Sequence, residues 1–169
     1  PYNTFNYKVK FWKKCLICIL ILEILGNASG LITLSSIKDW YAVLEKPIGT
    51  PPNGSFGPVW VILYAMMGVS LAFLWAKETS TEGQKVQKRT AIKWFFIQYL
   101  VNLSWTPVFF GLKRPDIASF LIVSLIIFIL LCIRSLRYVS KISSFLLYPY
   151  LLWVIYAAYL NISISLLNK

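Results

Sequence analysis

Residues 117–133 read IASFLIVSLIIFILLCI, seventeen positions with no charge among them, between Lys113-Arg114-Pro115-Asp116 and Arg134. A helix crossing the roughly 30 Å hydrocarbon core of a bilayer needs about 20 mostly apolar residues, so this run together with its flanks is long enough to span. Working outward, the same pattern recurs. Residues 145–167 form a second long run, with Pro149 in its opening turns, where a membrane helix tolerates it. Upstream lie runs at about 91–110, closed by Gly111, and at 57–76, followed by the charged turn from Lys77 to Arg89. The first run, 15–36, is interrupted by Glu23 and Asn27 and ends at Lys38-Asp39. Between it and the second lies a stretch, 38–56, whose Pro47, Pro51, Pro52 and Gly54 oppose regular helix. The fold class expected is an all-α membrane protein, a five-transmembrane-helix bundle forming a single domain over 1–169.

Composition agrees with that solvent. Of the 169 residues, 58% are hydrophobic and 14% charged, and the mean hydropathy is +0.67. The net charge of +11 lies between the apolar runs, where it suits anionic head groups and the topology signal better than a nucleic-acid face, so no nucleic-acid partner is expected. Alternating the five runs puts Lys8, Lys10, Lys13, Lys14, Lys77, Lys85, Lys88, Arg89, Lys93, Arg134, Arg137 and Lys141 on one side. The other side receives Lys38, Lys46, Lys113, Arg114 and Lys169. Twelve against five supports an odd number of spans, with the N-terminus and the second and fourth loops on the basic, cytoplasmic side. The first run exceeds a signal-peptide core and is read as a retained span.

Histidine is absent, which removes the usual haem ligand, the commonest zinc ligand and the base of a Ser/His/Asp triad. No catalytic or metal site is expected. Cys15 and Cys18 form a C-x-x-C inside an apolar run, where small polarizable side chains are ordinary packing. Gly26 and Gly30 form a G-x-x-x-G, and Gly68 with Ala72 a looser version; they suit packing within one protomer as well as between two. Glu23 is the one acid well inside a span and needs a partner there.

Two helical stripes stand out. Gln98, Asn102, Trp105 and Phe109 share a face of the third run, and Tyr150, Trp153, Ala157, Asn161, Ile164 and Asn168 share a face of the fifth. Amides facing lipid would be unsatisfied, so both stripes turn inward, as a hydrogen-bonded seam between helices or as the wall of a pocket. Trp12, Trp75 and Trp94 fall near the basic ends, as an interfacial belt requires.

The order of rarer residues carries a sharper signal. Trp40-Tyr41-Ala42-Val43-Leu44-Glu45-Lys46-Pro47, Pro51-Pro52-Asn53 and Phe56-Gly57-Pro58-Val59-Trp60 are followed by Leu63-Tyr64, Met67-Gly68, Leu74-Trp75, then Gln98, Asn102, Trp105 and Phe109-Phe110-Gly111. The last run adds Pro149-Tyr150, Trp153, Ala157 and Leu160-Asn161. This series resembles the TspO/MBR family, the tryptophan-rich sensory or translocator proteins that include the peripheral-type benzodiazepine receptor. The resemblance implies a five-helix receptor or transporter, often homodimeric, in a bacterial membrane or the mitochondrial outer membrane. It implies a pocket under the first loop that takes small apolar ligands: porphyrins such as protoporphyrin IX or a related tetrapyrrole, and synthetic benzodiazepine-type compounds. No cofactor is required, and membrane lipids are the other partners. Carried over by motif position, the ligand-binding residues are Trp40, Tyr41, Phe56, Asn102, Trp105, Trp153, Ala157, Leu160 and Asn161, with the ligand stacked between Trp40, Trp105 and Trp153 and oriented by Asn102 and Asn161. Some relatives degrade porphyrin in light, so a light-dependent porphyrin-degrading enzyme is an alternative reading of this chain, as is a stress-responsive regulatory or scaffold membrane protein. Here Gly49 and Gly54 stand where the family usually carries tryptophan, which argues against the photochemistry. The C-terminus, 161–169, lacks the tyrosine of the sterol-recognition pattern seen in animal members, so sterol transport is not expected.

Overall fold

The computed structural model describes residues 2–31 and 33–169, with side chains described from Lys10 onward except at 34 and 35. Ile32, inside the first expected run, and the side chain of Lys8, counted on the basic side, lie outside the described residues. Among those described the chain is all helical, with eight α-helices and no strand: α1 (Tyr2–Gly30), α2 (Thr33–Lys38), α3 (Trp40–Val43), α4 (Phe56–Ala76), α5 (Glu82–Thr106), α6 (Pro115–Arg137), α7 (Lys141–Phe145) and α8 (Tyr148–Leu167). Among the described residues, three segments are long and apolar enough to cross a membrane by length and composition: Asn53–Ala76, Pro115–Arg137 and Lys141–Leu167.

Local chemistry explains where the helices begin and end. α6 opens with Pro115 at a position that needs no N–H and Asp116 in the first turn, and closes on Arg134 and Arg137, in line with the helix dipole. α5 starts at Glu82 rather than near Ala91 because Thr81 and Gln84 form a capping box: the Gln84 N–H donates to Thr81 Oγ1 at 3.3 Å, and the Thr81 N–H donates back to Gln84 Oε1 at 3.5 Å. The fifth run is divided, with α7 ending before Leu146 and α8 carrying Pro149 in its first turn. The loop expected over 38–56 holds α3 and a 3₁₀ turn, Asn53–Ser55.

At the end of α5 the helix widens into a π turn, Pro107–Gly111. Pro107 has no N–H to give the carbonyl of Leu103, four residues back, and Ser29 Oγ from α1 donates to that carbonyl instead at 3.1 Å. Ser36 Oγ from α2 likewise donates to the Phe110 carbonyl at 2.7 Å. The broken ladder is satisfied from α1 and α2, and both segments are thereby tied to the turn that presents Phe109 and Phe110.

α6 lies between α5 and α8, while α1 packs along α4. The α1–α4 seam depends on two glycines. A Cβ on Gly68 would sit 2.6 Å from Ile19 Cα, and one on Gly26 would sit 2.2 Å from the Tyr64 ring. These glycines serve packing within the protomer, whereas a Cβ on Gly30 would meet nothing within 4 Å. Cys15 and Cys18 are buried free thiols packed with Ala72 on the same seam. Ser70 and Ser143 each donate to the other's carbonyl, at 2.8 and 2.9 Å, and fasten α7 to α4. Glu23 finds its partner one turn away, where Asn27 Nδ2 donates to Glu23 Oε2 at 2.8 Å.

Candidate functional site

The two polar stripes divide along their length. In their first halves they make a seam: the Tyr150 hydroxyl donates to Gln98 Oε1 at 2.9 Å, and the Tyr64 hydroxyl donates to Asn102 Oδ1 at 2.9 Å, all of these residues being buried. Further along, Trp105 and Phe109 on one side and Trp153, Ala157, Asn161 and Ile164 on the other part to enclose a cavity of about 440 Å³. Seam and pocket wall are thus successive parts of the same faces.

Five further elements complete the wall. α4 contributes Phe56, Trp60 and Tyr64, an i, i+4, i+8 row; α1 contributes Gly26, Asn27 and Gly30; α2 contributes Thr33 and Ile37; α3 contributes Tyr41; and the loop contributes Asn53 and Gly54. Aromatic pairs stiffen the walls. Trp60 stacks on Tyr64 with centroids 5.4 Å apart, Trp105 stacks on Phe109 at 5.1 Å, and Phe56 meets Trp153 edge-on at 6.3 Å. Among the described residues no charged side chain lines the cavity. Burial pushes the Tyr41 hydroxyl above the ordinary tyrosine range, with Tyr156 adding to the effect, so Tyr41 is neutral at physiological pH.

Seven of the nine residues expected at the site line this cavity: Tyr41, Phe56, Trp105, Trp153, Ala157, Leu160 and Asn161. Trp40 and Asn102 do not. Neighbours on a helix diverge by about 100°, so α3 can aim only one of its two leading aromatics inward. Tyr41 takes that place at 3% exposure, while Trp40 packs edge-on against Phe109 at 5.7 Å. Asn102 lies in the seam, held behind Tyr64.

The orienting role expected of the two amides also changes. Asn161 accepts from Trp105 Nε1 at 2.7 Å and donates to the Pro115 carbonyl and to Ser119 Oγ, each at 2.8 Å, so it clasps α5, α6 and α8 together. Asn161 is engaged at both ends of its amide, and Asn102 through its oxygen. The polar atom left over is the indole Nε1 of Trp153, which is buried and has no hydrogen-bond partner, the one such side-chain atom among the described residues. Gly54 lines the cavity with open space around it, since a Cβ there would meet nothing within 4 Å.

The loop over the cavity is fastened to α8 by residues outside the expected set. The Tyr156 hydroxyl donates to the Gly49 carbonyl at 2.6 Å, and the Tyr159 hydroxyl donates to the Ile48 carbonyl at 3.0 Å. Asn168 pairs with the Glu45 backbone in both directions, each bond 3.0 Å long. Gly49 makes the turn possible at φ +89°, a conformation side-chain-bearing residues rarely adopt. Asn168 extends the inward stripe of α8, which signals its direction; the tyrosines lie on the neighbouring face, and nothing in their spacing marks them as loop anchors.

Comparison with known proteins adds a lineage to this geometry. The TspO/MBR family model matches residues 18–167. A tryptophan-rich protein TspO of Archaeoglobus fulgidus is 39% identical over 155 residues, which is 92% of this chain and 97% of the relative. One of the same description from Chlorobaculum tepidum is 40% identical over 152 residues, 90% and 94% of the two chains. A translocator protein of Sus scrofa is 32% identical over 145 residues, 84% and 82%. With helices of membrane-spanning length and a match over nearly all of its residues, the chain is a membrane protein that belongs to the TspO/MBR family.

Proposed function

We propose that this protein is a five-span membrane receptor or transporter that binds a flat, apolar ligand of the tetrapyrrole type in the cavity under its first loop, and that benzodiazepine-type compounds enter the same space. The observation that carries the reading is the cavity itself: about 440 Å³, walled by Trp60, Trp105 and Trp153, with no charged side chain lining it among the described residues. Its volume falls within the roughly 300–1,000 Å³ of small-molecule pockets, and an apolar wall with few polar atoms is what binds such ligands in general. Flat aromatic faces offset-stack on indoles. With no charge in the lining, the ionised groups of the ligand stay at the mouth, toward water.

The spans in this reading are α1 from Cys15, α4, α5 from about Ala91, α6, and α7 with α8. The basic ends face the cytoplasm, the N-terminus with them. Names borne by relatives, tryptophan-rich sensory protein and translocator protein, accord with sensing or transport of a small molecule. Protoporphyrin titrated into the detergent-solubilised protein tests the assignment through tryptophan quenching. Trp153→Ala removes the aromatic wall that α8 supplies. Saturable quenching that weakens about tenfold in the variant, the worth of about 1.4 kcal/mol for a lost aromatic stack, is expected. Identical, non-saturating quenching in both would reject the site.

A further inference from the structure

At the pole opposite the loop, the early turns of α1, the end of α4 and the start of α5 bring lysines together. Lys14 Nζ lies over the Trp75 ring, 5.3 Å from its centroid. Lys88 Nζ donates to the carbonyls of Trp75 and Lys77, at 3.0 and 2.6 Å, and caps the end of α4. Lys14 and Lys88 are both half-buried. Burial pulls Lys88 below the ordinary lysine range, and the charge of Lys14 adds to the effect.

No carboxylate answers them. Among the described residues the ion pairs are Lys85–Glu82 and Arg114–Asp116, which leaves Lys14, Lys77 and Lys88 unpaired; Glu82 is engaged and Glu78 is exposed. An ammonium has three N–H groups. Lys88 spends two on carbonyls and keeps one, while Lys14 has no hydrogen-bond acceptor among the described residues. Like charges converging without a counterion favour an anion from outside.

The surface around the notch says what carries that anion. On the face of α1 that bears Lys14, the residues at i+3, i+7 and i+11 are Ile17, Ile21 and Leu25, all exposed, so an apolar track runs from the lysine into the bilayer. Trp75, 48% exposed, stands at its head. We propose that this notch binds the phosphodiester of an anionic phospholipid between Lys14 and Lys88, with Trp75 at glycerol level and the acyl chains along Ile17, Ile21 and Leu25. Basic recesses between spanning helices have this use in general, and the inference does not depend on what the cavity binds.

Native mass spectrometry of the detergent-solubilised protein with dioleoyl-phosphatidylglycerol, and separately with the phosphatidylcholine of the same chains, tests it. One tight phosphatidylglycerol and at least about tenfold weaker phosphatidylcholine are expected, with affinity falling about fivefold for each of Lys14→Gln and Lys88→Gln and unchanged in Lys38→Gln at the other pole. Lys14→Gln leaves the α4 cap intact and decides the matter should Lys88→Gln not fold. Equal binding of the two lipids, or an unchanged affinity in Lys14→Gln, would overturn the proposal. Displacement of the lipid by millimolar sodium phosphate would assign the notch to a soluble anion and overturn the lipid.

Discussion

Replacing Tyr156 and Tyr159 together by phenylalanine should loosen the loop without weakening the bundle. Each hydroxyl gives one hydrogen bond to a loop carbonyl, 2.6 Å to Gly49 and 3.0 Å to Ile48; Tyr159 is exposed and Tyr156 half-buried. Such bonds contribute about 0.5–1 kcal/mol net, so losing two costs about 1–2 kcal/mol of closure. Because the rings remain, packing along α8 changes little. The ratio of open to closed loop then rises about fivefold to thirtyfold, since a factor of ten corresponds to about 1.4 kcal/mol. Hydrogen exchange reads this directly. The Glu45 amide is held by Asn168 Oδ1 and the Ser55 amide by the Pro52 carbonyl at 2.9 Å, and both are released when the loop lifts. Exchange over residues 45–55 should accelerate by that factor, with the amides of α6 unchanged. Acceleration below twofold, or spread evenly through the helices, would refute the assignment of these tyrosines as loop anchors.

Other substitutions probe the frame. Gly68→Ala drives a Cβ to 2.6 Å from the Ile19 backbone and should cost about 1–3 kcal/mol by overpacking, while Gly30→Ala, with nothing within 4 Å, should leave the thermal midpoint in detergent where it was. Asn161→Leu strands Trp105 Nε1 and should cost about 1–3 kcal/mol, read as a lowered midpoint in the same melt. Gly54→Trp should fold with an unchanged midpoint, because the new side chain enters open space, and should lower the amount of apolar probe the cavity holds.

How much of this was legible in the sequence depends on what periodicity can carry. α6 is plain because an uncharged run between basic ends has few other uses, and the inward faces of α5 and α8 follow from amides that cannot face lipid. Periodicity gives a face but not depth along it, so it left open whether Asn102 and Trp105 make a seam or a wall; the structure makes one of each. The start of α5 was hidden because Thr81 and Gln84 read as ordinary loop residues until their side chains are seen to cap a helix. Trp40 and Tyr41 looked equivalent in an irregular stretch, and only the turn of α3 separates them. The row Phe56, Trp60, Tyr64 was available as an i, i+4, i+8 pattern and marks the α4 wall. The Ser29 and Ser36 contacts around Pro107 join residues 74 apart, beyond the reach of any local pattern.

The central claim, that the space beneath the loop is where the ligand resides, is met most directly by filling it. Ala157 lines the cavity, and Ala157→Phe puts a ring into the space between α8 and the indoles, whereas Phe120→Leu on the outer face of α6, 78% exposed, leaves the cavity untouched. Absorption spectra of the two variants and the parent, titrated with protoporphyrin, should show a saturable Soret shift at one ligand per chain in the parent and in Phe120→Leu, and none in an equally stable Ala157→Phe. An undiminished shift in Ala157→Phe would contradict the account.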